Sequence, residues 1–85
     1  MAAVFNISIL SPDRMIFNGV AESLVAPTSR GYVGILAHHA PFITMLGQGK
    51  ITVRDSGGKI TSFDCLGSGF LEVSQNKAVL LVDSD

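Results

Sequence analysis

Gly49-Lys50-Ile51-Thr52-Val53-Arg54-Asp55-Ser56-Gly57-Gly58-Lys59-Ile60 alternates, turns and sets out again. Ile51 and Val53 fall on one face and Lys50, Thr52 and Arg54 on the other, the period of two that marks a half-buried strand. Asp55-Ser56-Gly57-Gly58 reads as a hairpin loop, because glycine supplies the positive φ of tight turns, and a return strand is predicted from Lys59 to Leu66. Downstream, Gly67-Ser68-Gly69 breaks the chain, and Phe70 to Val73 and Ala78 to Val82 flank the turn Ser74-Gln75-Asn76-Lys77. Upstream, Phe5, Ile7 and Ile9 alternate with Asn6 and Ser8, and Ser11-Pro12-Asp13-Arg14 turns the chain. A second extended stretch is predicted from Val20 to Ala26, stopping at Pro27, followed by short runs at Tyr32 to Leu36 and Phe42 to Leu46. Apolar residues nowhere keep a helical spacing across three turns. The pattern predicts an all-β chain, a single domain over residues 1–85 built as a flattened β-sandwich of about ten short strands.

Composition narrows the function. Six Lys and Arg against seven Asp and Glu leave a net charge of −1, which argues against a nucleic-acid partner, since phosphates call for surplus cations. The longest apolar run, Ala78 to Val82, is far short of the ~20 residues that span a bilayer. The first residues carry no cation of the kind a signal peptide shows, and one cysteine, Cys65, fits a reducing compartment. A cytosolic chain is expected. Charged residues make up only 15%, against the usual ~25%. A 9.0 kDa globule should expose roughly 4,900 Å², and two partners covering ~800 Å² each would hide about a third of it. So apolar a small body is better suited to being clasped by neighbours than to standing free.

Candidate chemistry is thin. His38-His39 is a possible metal pair, but adjacent residues on an extended strand face opposite sides, and no acidic residue lies between Ser23 and Arg54. One imidazole is expected to pack within its loop and the other to meet solvent or a partner. A small metal-dependent β-barrel enzyme using His38 and His39 is the competing reading. No Gly-x-Ser-x-Gly elbow is present. Gly67-Ser68-Gly69 lacks the third glycine and the following helix of a dinucleotide loop, Glu72 standing at that place. Cys65 has Asp64 beside it rather than a cation that would activate a thiolate. No catalytic, metal or cofactor residue is assigned. The Ser23–Arg54 segment, whose only charges are Arg30, Lys50 and Arg54, is a weakly basic candidate docking edge.

Gly31-Tyr32-Val33-Gly34-Ile35-Leu36-Ala37-His38-His39-Ala40-Pro41-Phe42 resembles the loop that marks the epsilon subunit of F-type ATP synthases. Ser11-Pro12, Phe17-Asn18-Gly19, Pro27, Gly47-Gln48-Gly49 and Gly69-Phe70-Leu71-Glu72-Val73 extend the resemblance over essentially the whole chain. The resemblance implies a flattened sandwich of about ten strands and a non-catalytic central-stalk rotor subunit that links the gamma subunit to the c-ring. It implies a ring-facing group of Ser29, Arg30, Gly31, Tyr32 and His38, and a gamma-facing group of Ser11, His39 and Thr44. Gly31 and Gly34 are expected to bracket a tight excursion where backbones approach closely. Peripheral attachment is implied at the cytoplasmic face of a bacterial inner membrane, or at the stromal face of the thylakoid. Departures are visible too. Ala37-His38 replaces a usual Pro-Gly, Ser68 a common glycine, and Tyr32 a residue that is often acidic. The family generally continues into a C-terminal helical hairpin that inhibits hydrolysis and in some bacteria binds ATP. Without it, neither property is expected.

Overall fold

The computed structural model describes residues 3–83. Nine strands run in order: β1 (Phe5–Leu10), β2 (Met15–Ala21), β3 (Ser23–Thr28), β4 (Gly31–Leu36), β5 (Phe42–Met45), β6 (Gln48–Arg54), β7 (Ile60–Leu66), β8 (Gly69–Ser74) and β9 (Lys77–Val82). They form a five-stranded sheet, β2-β1-β9-β8-β5, and a four-stranded sheet, β4-β3-β6-β7. Among the described residues there are nine strands where about ten were expected, and Leu46 forms only an isolated bridge to Thr28.

Alternation decides the core. Ile7, Ile9, Leu71 and Leu80 of the larger sheet meet Leu24, Ile35 and Ile51 of the smaller one, all at most 1% exposed. Phe17 and Phe63 close the gap between edge strands β2 and β7 edge to face, with ring centroids 5.6 Å apart. The accessible surface, 5075 Å², agrees with the ~4,900 Å² expected from mass.

Two expectations are corrected. Val20 to Ala26 is not one strand: β2 ends at Ala21, and the chain changes sheets at Glu22, whose N–H donates to the Arg54 carbonyl at 2.8 Å. Nor does β3 stop at Pro27, which stays in register with Tyr32. The Pro27 carbonyl accepts from Gly47 N at 2.9 Å, on the side of β3 away from the hairpin.

Closure is non-local. β1 pairs antiparallel with β2 and parallel with β9, from Asn6↔Lys77 to Leu10↔Leu81. At Gly69, with φ 122°, an added Cβ would run into the Leu81 carbonyl, so only glycine lets β8 come this close to β9. The registers give the sandwich two ends. One holds Glu22, the His38–Pro41 loop, the Asp55–Gly58 hairpin and the Gln75-Asn76 turn. The other holds the Ser11–Arg14 turn, Ser29-Arg30, Gly47 and Gly67-Ser68.

Candidate docking surface

The expected ring-facing residues are split. Ser29 and Arg30 form a two-residue hairpin tip between β3 and β4, with Gly31 at φ 114°. Thr28 Oγ1 secures the tip, donating to the Gly31 carbonyl at 2.6 Å and accepting from Arg30 N at 3.1 Å. Tyr32 folds over Pro27 and accepts a hydrogen bond from Lys50 N at 3.2 Å through its hydroxyl oxygen. His38 lies beyond the other end of β4, in the left-handed region at φ 62°, its N–H donating to Asn76 Oδ1 at 2.7 Å.

The expected gamma-facing residues are likewise spread along the larger sheet. Ser11 caps the β1–β2 turn, its N–H and hydroxyl both donating to the Arg14 carbonyl, at 2.9 and 3.3 Å. Thr44 is half-buried on edge strand β5, opposite Leu71. His39 sits at the far end, Nδ1 donating to the Ala40 carbonyl at 2.7 Å and the ring packed edge to face on Phe42 at 5.7 Å. The two imidazoles thus differ as expected: His39 packs in its loop and His38 meets solvent. Their separation comes from a left-handed turn rather than from strand alternation. Among the described residues, no three His, Cys, Asp or Glu side chains gather at one point, so the metal reading gains no third ligand.

The feature that residue-by-residue reading missed is collective. Register places Met15 beside Leu10, Leu10 beside Leu81, Leu81 beside Phe70 and Phe70 beside Met45, one outward residue from each strand of the larger sheet. Four of these are well exposed: Met15 52%, Leu81 36%, Phe70 36% and Met45 63%. Ile43, 67% exposed, extends the row along β5. Shallow hollows of ≈ 290 Å³ lie on either side of it, one lined by Ile43, Thr44, Met45 and Phe70 and the other by Pro41, Phe42 and Glu72 among others. A free protein rarely shows water an uncharged row across a whole sheet; such patches mark interfaces. The signal was present in the sequence as apolar residues on both phases of a strand, as in Val79-Leu80-Leu81.

Comparison with known proteins agrees with the β-sandwich fold. A family model described as ATP synthase, Delta/Epsilon chain, beta-sandwich domain matches residues 4–84. The ATP synthase epsilon chain of Leptospira borgpetersenii is 40% identical over 78 residues, covering 92% of this chain and 60% of its own length. The chloroplastic epsilon chain of Emiliania huxleyi is 41% identical over 76 residues, with 57% of its length covered. The Caulobacter vibrioides epsilon chain is 38% identical over 81 residues, and there 92% of its length is covered. This chain therefore spans about 60% of some relatives and nearly all of another. A chain in the cryo-EM structure of the Euglena gracilis mitochondrial ATP synthase superposes with a TM-score of 0.87 over 96% of this chain and 52% of that one, at 23% identity, a likeness of fold. With the family model running over nearly its whole length, the chain belongs to the delta/epsilon β-sandwich family of ATP synthases.

Proposed function

We propose that this chain is a central-stalk rotor subunit of an F-type ATP synthase, joining the gamma subunit to the c-ring and carrying no reaction itself. The observation that supports it best is the row Met15–Leu10–Leu81–Phe70–Met45, an uncharged surface presented by five hydrogen-bonded strands. Gamma covers this face, with Ser11 at one end of the row's strands and Thr44 on their edge. The Ser29–Tyr32 tip meets the polar loops of the ring. A joint that transmits torque must not shear, and strand ladders with a close-packed core between them resist shear better than loops do. His39, packed on Phe42, stiffens the far corner. The subunit is peripheral, held at the membrane surface through the ring, on the cytoplasmic face in a bacterium or the stromal face in a plastid.

Size-exclusion chromatography with purified gamma tests the reading. A stable one-to-one complex is expected, lost in Met45→Glu while the circular dichroism of the isolated chain is unchanged. A chain that ignores gamma overturns it. Titration calorimetry with millimolar ATP is expected to show no heat of binding.

A further inference from the structure

We infer that the open edge of β4 pairs with the same edge of a second copy of the chain, antiparallel and centred on Gly34, joining two four-stranded sheets edge to edge. The inference stands on strand register and is independent of the rotor-subunit reading.

Hydrogen-bond phase is the starting point. Pro27 has no N–H to give its register partner Tyr32, and its carbonyl turns away to Gly47 N at 2.9 Å. Pro27↔Tyr32 is therefore a pair without ladder bonds. In an antiparallel hairpin every second pair shares that character, here Val25↔Gly34 and Ser23↔Leu36. The N–H and C=O groups of Tyr32, Gly34 and Leu36 accordingly point sideways off the sheet. Among the described residues β3 is the sole strand neighbour of β4, and no other backbone group bonds to these three.

This edge is also undefended. Open edges are usually blunted by short length, charge, proline or irregular register, because a bare row of donors and acceptors recruits another strand. β5 is four residues long, β7 carries Asp64, and β2 shifts register against β1. β4 runs six residues in unbroken register, with neither charge nor proline. Its outward side chains leave the approach clear: Tyr32 leans over Pro27 toward Lys50, away from the edge, and Gly34 has none. The close approach expected at Gly31 and Gly34 is not found within the chain, since an added Cβ at either meets no atom within 4 Å.

Symmetry selects the occupant. The three outward residues are evenly spaced about Gly34. A second copy turned about a two-fold axis there sets Tyr32 opposite Leu36 and Gly34 opposite Gly34, each pair exchanging both N–H···O bonds. A slide of two residues either way leaves one outward residue of each chain facing the Ser29-Arg30 tip or the His38 loop instead. No charge meets another at the axis. The contact is isologous, so it closes at two copies and uses up both edges. Being smaller than a standard interface it is weak, with a Kd on the order of 0.1–1 mM.

The test uses the full chain carrying Met45→Glu, so that the apolar row does not contribute, with amide–water exchange read by NMR at about 50 μM and about 1 mM. Exchange at Tyr32, Gly34 and Leu36 is expected to slow about twofold or more at the higher concentration, while Val33 and Ile35, already bonded to β3, do not change. Gly34→Lys is expected to keep the thermal midpoint, its Cβ meeting open space, and to abolish the slowing, because two ammonium groups would stand side by side at the axis. Exchange that does not depend on concentration overturns the inference. So does slowing at all five amides alike, or slowing that survives Gly34→Lys. Should Gly34→Lys unfold the chain, the alternating pattern of the parent still decides. A chain that shows this pattern and ignores gamma sinks the rotor reading alone.

Discussion

Asn76 ties together three stretches of chain that sequence order keeps far apart. Its Oδ1 accepts from His38 N at 2.7 Å, its Nδ2 donates to the Val4 carbonyl at 3.0 Å, and its own carbonyl accepts from Asn6 N at 3.3 Å. It also sits at φ 59°, where asparagine is tolerated better than most residues. Asn76→Ala should therefore lower stability in urea by about 1–2 kcal/mol through two lost side-chain bonds and added backbone strain. Asn76→Gly should lower it by less, because the strain goes while the bonds are still lost. The Lys50–Asp64 pair has the opposite character. Both side chains are largely in water, 62% and 76% exposed, so Asp64→Asn should change the unfolding free energy measured in urea by no more than about 0.5 kcal/mol, and less in high salt. In the sequence Asn76 read only as part of a turn. A side chain bridging three segments has no local signature, since its partners are set by how the sheets close.

At the scale of strands, the alternating stretches were legible and β2 was not. β6 and β7 came directly from the period of two and the Asp55-Ser56-Gly57-Gly58 loop, to within one residue at each start. β2 was missed because Asn18-Gly19 interrupts it and its burial scarcely alternates. It is a strand because six of its seven residues pair in register with β1, where ladder and packing override a weak propensity. The Gly67-Ser68-Gly69 break, by contrast, was read correctly, and the structure supplies the reason. Gly69→Ala should destabilise the chain by about 3 kcal/mol or prevent folding, since the β8–β9 ladder must open to admit a methyl group against the Leu81 carbonyl. Thermal unfolding followed by circular dichroism checks this, with Gly34→Ala as the comparison that should be near neutral.

For the molecule as a whole, composition spoke before structure did. The charge-poor chain places its surplus apolar residues on the outward faces of two sheets, a placement that counting them could not give. Locating them took register, and register across β1 and β9 joins residues about seventy positions apart. The isolated chain should consequently show concentration-dependent amide shifts at Met45, Phe70 and Leu81, absent in Met45→Glu. Its core should behave conventionally: Ile7→Ala, at a fully buried site between β2 and β9, should cost about 3 kcal/mol by urea denaturation.

The parallel pairing of the opening strand with the closing one also has a consequence for biosynthesis. On the ribosome, β1 leaves the exit tunnel first and gains only β2 as company until Lys77–Val82 has been translated. The larger sheet is thus assembled in a single late event, and a nascent chain halted anywhere before that point presents Ile7 and Ile9 to chaperones and proteases. Quality control of the larger sheet turns on whether Lys77–Val82 has joined it.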